Sequence, residues 1–341
     1  MAYPKPLSEK SLAKMYRDAN LDERKSAFLH QFFQAAANLY GAAVMADLWE
    51  ILKAIAGQYG MTDLKRKDLI AFSSIARREN VPYHVYEVDE LYSEEKRAML
   101  DRIIVHKSLV RVGYGKMIAF YELAELQSEH TFYIPEDFLS YVEPKPTPAE
   151  IQLLEFLKNL KVTASEYVNS YGRKYVCTHV GETLESFSFR NAMETSEYEW
   201  YSGENPQHKI RNERQLQELD ARTSGSEAEK ILRSYKENRN LGYFPPARDI
   251  QAVSDELSEV GVQLTDQQFS DLVELLMLVN NTSHLWHNYG WAPVDLARQH
   301  PIKVPTSVSF GPGIRQAFAE GKLSREEIEE ECRKRGIKIV E

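Results

Sequence analysis

The residues best suited to chemistry form two closely spaced pairs, each containing a histidine. His284 and His287 are three positions apart, which places both on one face of a helix, and Cys177 and His179 are two apart, which does the same on a strand. Four such ligands can build a tetrahedral zinc site. However, Gly290 indicates a turn beside the first pair, and neither pair has a further ligand at a motif-like spacing. The sequence therefore predicts no metal site and no cofactor, with His284 and His287 the nearest candidates.

Sequence motifs for the common kinds of catalysis do not occur in this chain. It has neither the glycine–serine elbow of hydrolases nor a glycine-rich loop of the spacings that bind phosphate. The 51 acidic residues offer no pair of carboxylates that stands out as an acid–base pair. The sequence therefore favours a non-enzymatic protein. A hydrolase or metalloenzyme with residues dispersed along the chain is the third hypothesis.

Three large aromatic residues follow the most apolar predicted helix. Trp286, Tyr289 and Trp291 stand in a segment rich in asparagine and threonine, whose side chains bond to the backbone in turns. One interpretation is structural: the segment folds back after the helix, and Trp286 fills the core. The other is functional, because aromatic side chains are typical anchors of protein interfaces. On that interpretation these three residues are a site for a protein partner.

A basic helix face is the candidate nucleic-acid interface. A helix over residues 63–79 would carry apolar residues on one face and basic or hydrogen-bonding residues on the other, as a DNA-reading helix does. Acidic and basic residues balance over residues 61–107, however, which favours a solvated face over a phosphate-binding one. The candidate residues are Lys65, Arg66, Lys67, Ser74, Arg77 and Arg78.

The N-terminal part of the chain predicts a winged-helix-like domain over residues 1–142. Apolar residues at helical spacing predict helices over residues 7–57 and a third helix over 63–79. Residues 83–88 and 102–106 are rich in strand formers and predict a two-stranded ribbon. Three helices followed by a ribbon is the element order of a winged helix-turn-helix.

A proline-rich linker over residues 143–149 is the clearest predicted domain boundary, because proline fixes the backbone and removes a hydrogen-bond donor. Residues 150–240 predict a mixed, helical and partly polar segment, and the sparse apolar residues of 206–240 place that stretch across the surface. Residues 241–341 predict a C-terminal helical domain. The expected fold class is mainly α with minor β.

Charge and cysteine content narrow the class of protein. The formal net charge is −9, which repels phosphate backbones and anionic membranes as a whole. Only two cysteines occur, far apart, which is typical of a reducing compartment. No stretch is apolar enough to span a membrane, and the N-terminus lacks the apolar core of a signal peptide. A cytoplasmic location is the expectation.

Short aromatic motifs resemble a group of uncharacterised bacterial and phage-related proteins, many of which carry a C-terminal SEC-C zinc motif. The segment N-N-T-R-x-W-x-x-x-G-x-x-P of that group is matched here by Asn281, Thr282, Trp286, Gly290 and Pro293. Leu296 extends that match. Further similarity lies at residues 38–41, 83–85 and 132–135.

The chain also departs from the pattern of that group in two places. Ser283 and His284 stand where the group has an arginine, and the terminal cysteine cluster is absent, so the zinc module does not carry over. The resemblance implies no established activity. Taken together, we expect a protein-binding or regulatory protein of unknown partner, with a winged-helix DNA-binding regulator as the alternative.

Overall fold

The computed structural model divides the chain into two compact units, Met1–Pro293 and Val294–Glu341. The architecture is mainly helical with minor β structure, as the sequence predicts, and the β structure includes a small three-stranded antiparallel sheet. The structure describes residues 3–92, 98–110, 118–127, 131–168, 174–189, 219–220, 223–241, 246–299, 307–311, 318–319, 324–334 and 338–339.

The first half of the larger unit contains six helices among the described residues, and the first four of them pack around one aromatic-rich core. The long second helix supplies the centre of that core through Phe32, Phe33 and Leu39, which are fully buried or nearly so. In order the helices are α1 (Glu9–Asp18), α2 (Glu23–Tyr40), α3 (Met45–Ile55), α4 (Arg66–Ala76), α5 (Val88–Tyr92) and α6 (Ile118–Leu126).

Helix α2 begins and ends at residues suited to those positions. Asp22 caps it, its Oδ1 accepting a hydrogen bond of 2.8 Å from the Lys25 amide. Gly41 ends it with φ of +70°, a conformation that glycine adopts without steric penalty. The helix end is therefore set by local sequence, and it directs the chain into the sheet.

The sheet has strand order β1–β3–β2, with strands β1 (Ala42–Val44), β2 (Tyr83–Tyr86) and β3 (Ile103–His106). Both pairings are antiparallel, and β3 lies in the centre, with Ile104 opposite both Ala43 and Val85. The predicted strands are thus confirmed over residues 83–86 and 103–106, but Val88 begins helix α5, and the pair belongs to a three-stranded sheet rather than to a two-stranded ribbon. Strand β1 is an element that the sequence did not predict, because three small and β-branched residues carry little signal.

The second half of the larger unit is a helical layer with its own core. Thr147 and Glu150 form a capping box at the start of the first helix, which has proline at its first position. Its Leu153 and Leu157 pack in one cluster with residues of the three later helices. These helices are α7 (Pro148–Asn159), α8 (Glu227–Leu241), α9 (Pro246–Glu259) and α10 (Asp266–Thr282), and a hairpin of β4 (Glu166–Val168) and β5 (Lys174–Val176) accompanies them.

Helix α8 corrects one expectation. The polar composition of residues 206–240 predicted a stretch lying across the surface, yet Ala228, Ile231 and Tyr235 of α8 are buried in the core of the second half. Their spacing of three and four residues forms a narrow apolar stripe within an otherwise charged helix. A sparse stripe is sufficient because α7, α9 and α10 complete the core around it.

The smaller unit contains a parallel pair of short strands, β6 (Ser307–Val308) and β7 (Lys338–Ile339), and helix α12 (Arg325–Lys334). Helix α11 (Pro293–Gln299) begins at the last residue of the larger unit. Of the helices that the structure describes, none combines the length and apolar character needed to cross a membrane. The predicted domain boundaries at residues 143–149 and 240/241 stay predictions.

Candidate functional site

Trp286 lies at the join between helix α2 and the segment that follows helix α10. Its indole Nε1 donates a hydrogen bond of 2.8 Å to the carbonyl oxygen of Asn38, and the side chain is 5% exposed. The ring covers Gly41 so closely that a Cβ atom at that position would stand 2.6 Å from Trp286 Cδ2. The indole therefore packs closely against the end of α2, and the absence of a side chain at Gly41 permits this contact.

A second apolar cluster surrounds the same indole. Trp286 packs with residues of the sheet and of helix α6, among them Ala42, Val105 and Phe120. The His106 ring lies beside it, with ring centroids 5.0 Å apart. One edge of Trp286 thus belongs to a core, and its histidine neighbour is half-buried.

The chain after Trp286 folds tightly back on the first half of the unit. Tyr289 and Gly290 both adopt positive φ, at 50° and 81°. The Tyr133 amide donates to the Tyr289 carbonyl oxygen at 3.0 Å, and Trp291 Nε1 donates to the Thr131 carbonyl oxygen at 2.7 Å. Tyr289 and Trp291 are consequently half-buried residues of a turn that these two hydrogen bonds hold against the first half of the unit.

A cleft of about 480 Å³ opens beside Trp286. One wall carries Asn38, His106 and Ser108 from the first half of the unit. The opposite wall is helix α8. Its lining side chains are Glu229, Leu232, Arg233, Lys236, Glu237 and Asn240, and Pro144 completes the rim.

The cleft walls combine an aromatic surface with groups of both charges. Ser108 Oγ lies 2.8 Å from His106 Nδ1, which fixes the orientation of that ring. Lys236 Nζ lies 3.1 Å from the buried Glu150 Oε1, so its charge is already partly balanced. Arg233 and Glu237 stand half-buried on the same helix. The arrangement suits a ligand with apolar surface, backbone-like polar groups and charges of both signs.

The two histidines of the sequence hypothesis occupy different surroundings. His284 Nδ1 lies 2.6 Å from the Gly290 carbonyl oxygen, and its ring stacks on Tyr133. His287 Nδ1 is buried and has no hydrogen-bond partner in the described part of the chain, and burial lowers the pKa of its imidazole. Among the described residues, no group of three histidine, cysteine, aspartate or glutamate side chains is placed to hold a metal ion. Cys177 is buried, and His179 stacks on Phe187.

The candidate nucleic-acid residues separate into two groups. Lys65, Arg66 and Lys67 are exposed at the start of helix α4, and Arg78 is exposed just after its end. Acidic groups lie near the first three: Asp63 pairs with Lys25 at 2.9 Å, and Asp68 accepts a hydrogen bond from the Lys65 amide. This end of α4 is therefore mixed in charge.

Ser74 and Arg77 belong to an internal ionic network. Arg77 Nη1 lies 2.7 Å from Glu87 Oε1, and its Nη2 lies 2.6 Å from Glu90 Oε1. Arg102, which is 5% exposed, shares the Glu87 carboxylate and donates to Ser74 Oγ at 2.7 Å. The network ties helix α4 to the strands of the sheet, and both residues are engaged within the protein.

No protein-family model, no curated protein and no solved structure matches this chain. The resemblance drawn from the short aromatic motifs stays a prediction.

Of the residues that line the cleft, the sequence indicates only Trp286 as a candidate site residue. The wall from helix α8 is distant from Trp286 along the chain, and its charged residues look like any solvated helix face. His106 is the last residue of strand β3, Ser108 follows that strand, and neither belongs to a motif. One signal for the packing of a large side chain was present in the sequence. Gly41 directly follows the aromatic run of α2, and a glycine there permits a large side chain to pack against the helix end.

Proposed function

We propose that this protein is a non-enzymatic binding protein that holds a segment of a protein partner in the cleft beside Trp286. The observation that carries the proposal is the cleft itself, about 480 Å³ in volume, with an indole on one side and charged helix residues on the other. Aromatic and arginine side chains at the centre of a concave surface are the usual anchors of protein recognition.

The chemistry of the walls favours a peptide over other ligands. Ser108 and Asn240 supply hydroxyl and amide groups of the kind that bond to a peptide backbone, while Arg233 and Glu237 place one charge of each sign on the wall of helix α8. A purely anionic ligand such as a nucleic acid would meet Glu229 and Glu237. The partner segment that fits best carries an apolar side chain for Trp286, flanked by one acidic and one basic residue.

Site-specific cross-linking tests this proposal. A photoreactive amino acid replaces Ser108 inside the cleft or, as the control, Lys53, which is about half exposed on helix α3 outside it. Both proteins are incubated with an extract of the cells that make this protein. We expect one partner protein to be cross-linked from position 108 and not from position 53.

The cross-linked peptide then identifies the segment in the cleft. A segment with an apolar residue between opposite charges supports the proposal. Cross-linking of the same proteins from both positions, or of none from position 108, contradicts it.

A DNA-binding regulator is the second candidate, favoured by the topology of the first half. The element order α2–β1–α3–α4–β2–α5–β3, with sheet order β1–β3–β2, is compatible with a winged helix in which α4 is the recognition helix and the short helix α5 lies between the two wing strands. The exposed Lys65, Arg66, Lys67 and Arg78 would then supply phosphate contacts.

Salt dependence tests the second candidate. If α4 binds duplex DNA, the affinity falls steeply with rising salt, and removal of Lys65, Arg66 and Lys67 together reduces the salt dependence by about one unit of slope per lost contact. Absence of binding at low salt contradicts it. The same triple variant leaves partner cross-linking from position 108 unchanged.

A further inference from the structure

Arg239, in the last turn of helix α8, is a buried guanidinium with incomplete pairing. It is 4% exposed, and its nearest carboxylate is Glu150 Oε1, 3.8 Å from Nη2. That carboxylate is already engaged, because Lys236 Nζ lies 3.1 Å from Oε1 and the Thr147 amide donates to Oε2 at 2.9 Å. Arg239 therefore gains little from the Glu150 carboxylate.

Two nitrogens of Arg239 lack a hydrogen-bond partner. Nε and Nη1 are buried and bond to no atom of the described part of the chain. The Tyr235 ring packs beside the guanidinium, 5.6 Å from Cζ to the ring centroid, and the Tyr235 hydroxyl donates to the Leu276 carbonyl oxygen. Buried guanidinium N–H groups are normally satisfied, so this pair of donors needs an acceptor.

Two further buried groups around Arg239 share this property. Asp249 Oδ1 and His287 Nδ1 likewise bond to no described residue, and helix α8 packs against both elements that carry them. Asp249 comes from helix α9 and His287 from the turn beside Trp286. Three elements thus converge with polar atoms that do not bond to one another.

On the acid side of the Asp249 pKa, the side chains of Arg239, Asp249 and His287 can all act as hydrogen-bond donors. Burial raises the pKa of Asp249 to about 6, and the Arg239 charge opposes that rise. Burial and Arg239 lower the pKa of His287, so its imidazole is neutral at neutral pH and can donate from Nδ1. Below the Asp249 pKa, Arg239, His287 and protonated Asp249 all present hydrogen-bond donors. The charged and titratable groups that face Asp249 are Arg239 and Tyr235.

We propose that Arg239, Asp249 and His287 form a buried binding site for a small oxyanion, such as a sulfate, phosphate or carboxylate group. The site adjoins the cleft, because Arg239 precedes Asn240 and His287 follows Trp286, and both of those neighbours line it. A planar guanidinium with two free donors matches an oxyanion in bidentate geometry. The inference does not depend on a protein partner in the cleft.

Calorimetric titration with sodium sulfate tests the site, because sulfate keeps its charge across the pH range in question. Sodium chloride at equal ionic strength is the reference. We expect one saturable sulfate site, tighter at about pH 5.5 than at about pH 7.5, since Asp249 takes up a proton on the acid side of its pKa.

Three variants locate the binding. Arg239→Met should weaken sulfate binding by about tenfold or more, as loss of a charge-assisted contact does. Asp249→Asn, which keeps the shape and supplies an uncharged donor, should strengthen binding at about pH 7.5 and abolish its pH dependence. Arg233→Met removes the same charge from the same helix on the cleft wall and should leave the affinity unchanged.

The outcomes are decisive even if Arg239→Met does not fold. Absence of sulfate-specific heat in the wild-type protein overturns the proposal, as does a pH dependence that persists in Asp249→Asn. Binding that is lost in Arg233→Met and retained in Arg239→Met would place the anion on the cleft wall and overturn it as well.

Discussion

Gly41 has no side chain, and the space that this leaves is occupied by the large indole of Trp286. The glycine has φ of +70° and lies under the indole, whose Cδ2 would be 2.6 Å from any Cβ. The Asn38 carbonyl oxygen, three residues earlier, receives the indole N–H. Packing and hydrogen bonding together fix Trp286 at the edge of the cleft.

Gly41→Ala should therefore destabilise the protein by about 2–4 kcal/mol, through the strained positive φ and the overlap with the indole. Gly57→Ala is the matched control, because a Cβ at that position meets no atom within 4 Å. Urea unfolding of both variants measures the difference. Equal stabilities of the two variants would contradict the conclusion that the packing of Trp286 requires a glycine at position 41.

The sequence predicted part of this arrangement at the residue scale. The aromatic run of α2 and the turn residues around Gly290 were visible, and so was the structural alternative in which Trp286 fills a core. The partner of the indole was not, because Asn38 and Trp286 are joined only by the tertiary fold and neither residue type indicates the other. The protein-binding role of Trp286, Tyr289 and Trp291 stays a prediction.

At the scale of elements, an ionic network attaches helix α4 to the sheet. Arg77 and Arg78 are adjacent in sequence and looked equivalent as DNA contacts, yet Arg77 is held by Glu87 and Glu90 while Arg78 is exposed. Hydrophobic periodicity could not separate them, since the carboxylates come from the segment after β2.

Arg77→Ala should cost about 3 kcal/mol of stability, because it leaves the buried Glu90 carboxylate without its cation. Arg78→Ala should change stability by less than about 0.5 kcal/mol. Thermal or denaturant unfolding compares the two. A neutral Arg77→Ala would show that the network contributes no net stability.

The contact between helices α8 and α9 makes stability depend on pH. Ser234 donates to Glu256 Oε1 at 2.6 Å, and burial, with smaller contributions from Glu259 and Glu227, raises the pKa of Glu256 to about 7. The folded state therefore keeps a proton that the unfolded chain releases near pH 4.5. The contribution of Glu256 to the free energy of unfolding therefore falls as the pH rises from about 4.5 to about 7, and it is constant above that range.

Glu256→Gln should remove this dependence and make the protein more stable than wild type at about pH 8, by up to about 3 kcal/mol. The glutamine oxygen still accepts the Ser234 hydroxyl. Urea unfolding at about pH 5 and about pH 8 measures both proteins. A variant that is less stable than wild type at the higher pH would contradict the assignment.

At the scale of the whole molecule, helix α8 connects the features that bear on function. One side of it lines the cleft opposite His106 and Ser108, and its last turn places Arg239 among Asp249 and His287. The sequence predicted the mainly helical class and strands over residues 83–88 and 102–106, of which residues 83–86 and 103–106 form β2 and β3. It did not predict the role of α8, whose sparse apolar stripe becomes a core face only against α7, α9 and α10.

We propose that the cleft beside Trp286 holds a partner's peptide segment, and a substitution that fills the cleft tests this proposal. The measurement is the affinity of the cross-linked peptide, made synthetically, for wild type and for Ser108→Tyr, with Lys53→Tyr as the control. The account predicts at least about tenfold weaker binding to Ser108→Tyr, equal binding to the control and unchanged thermal midpoints. Equal affinity for all three proteins would contradict it.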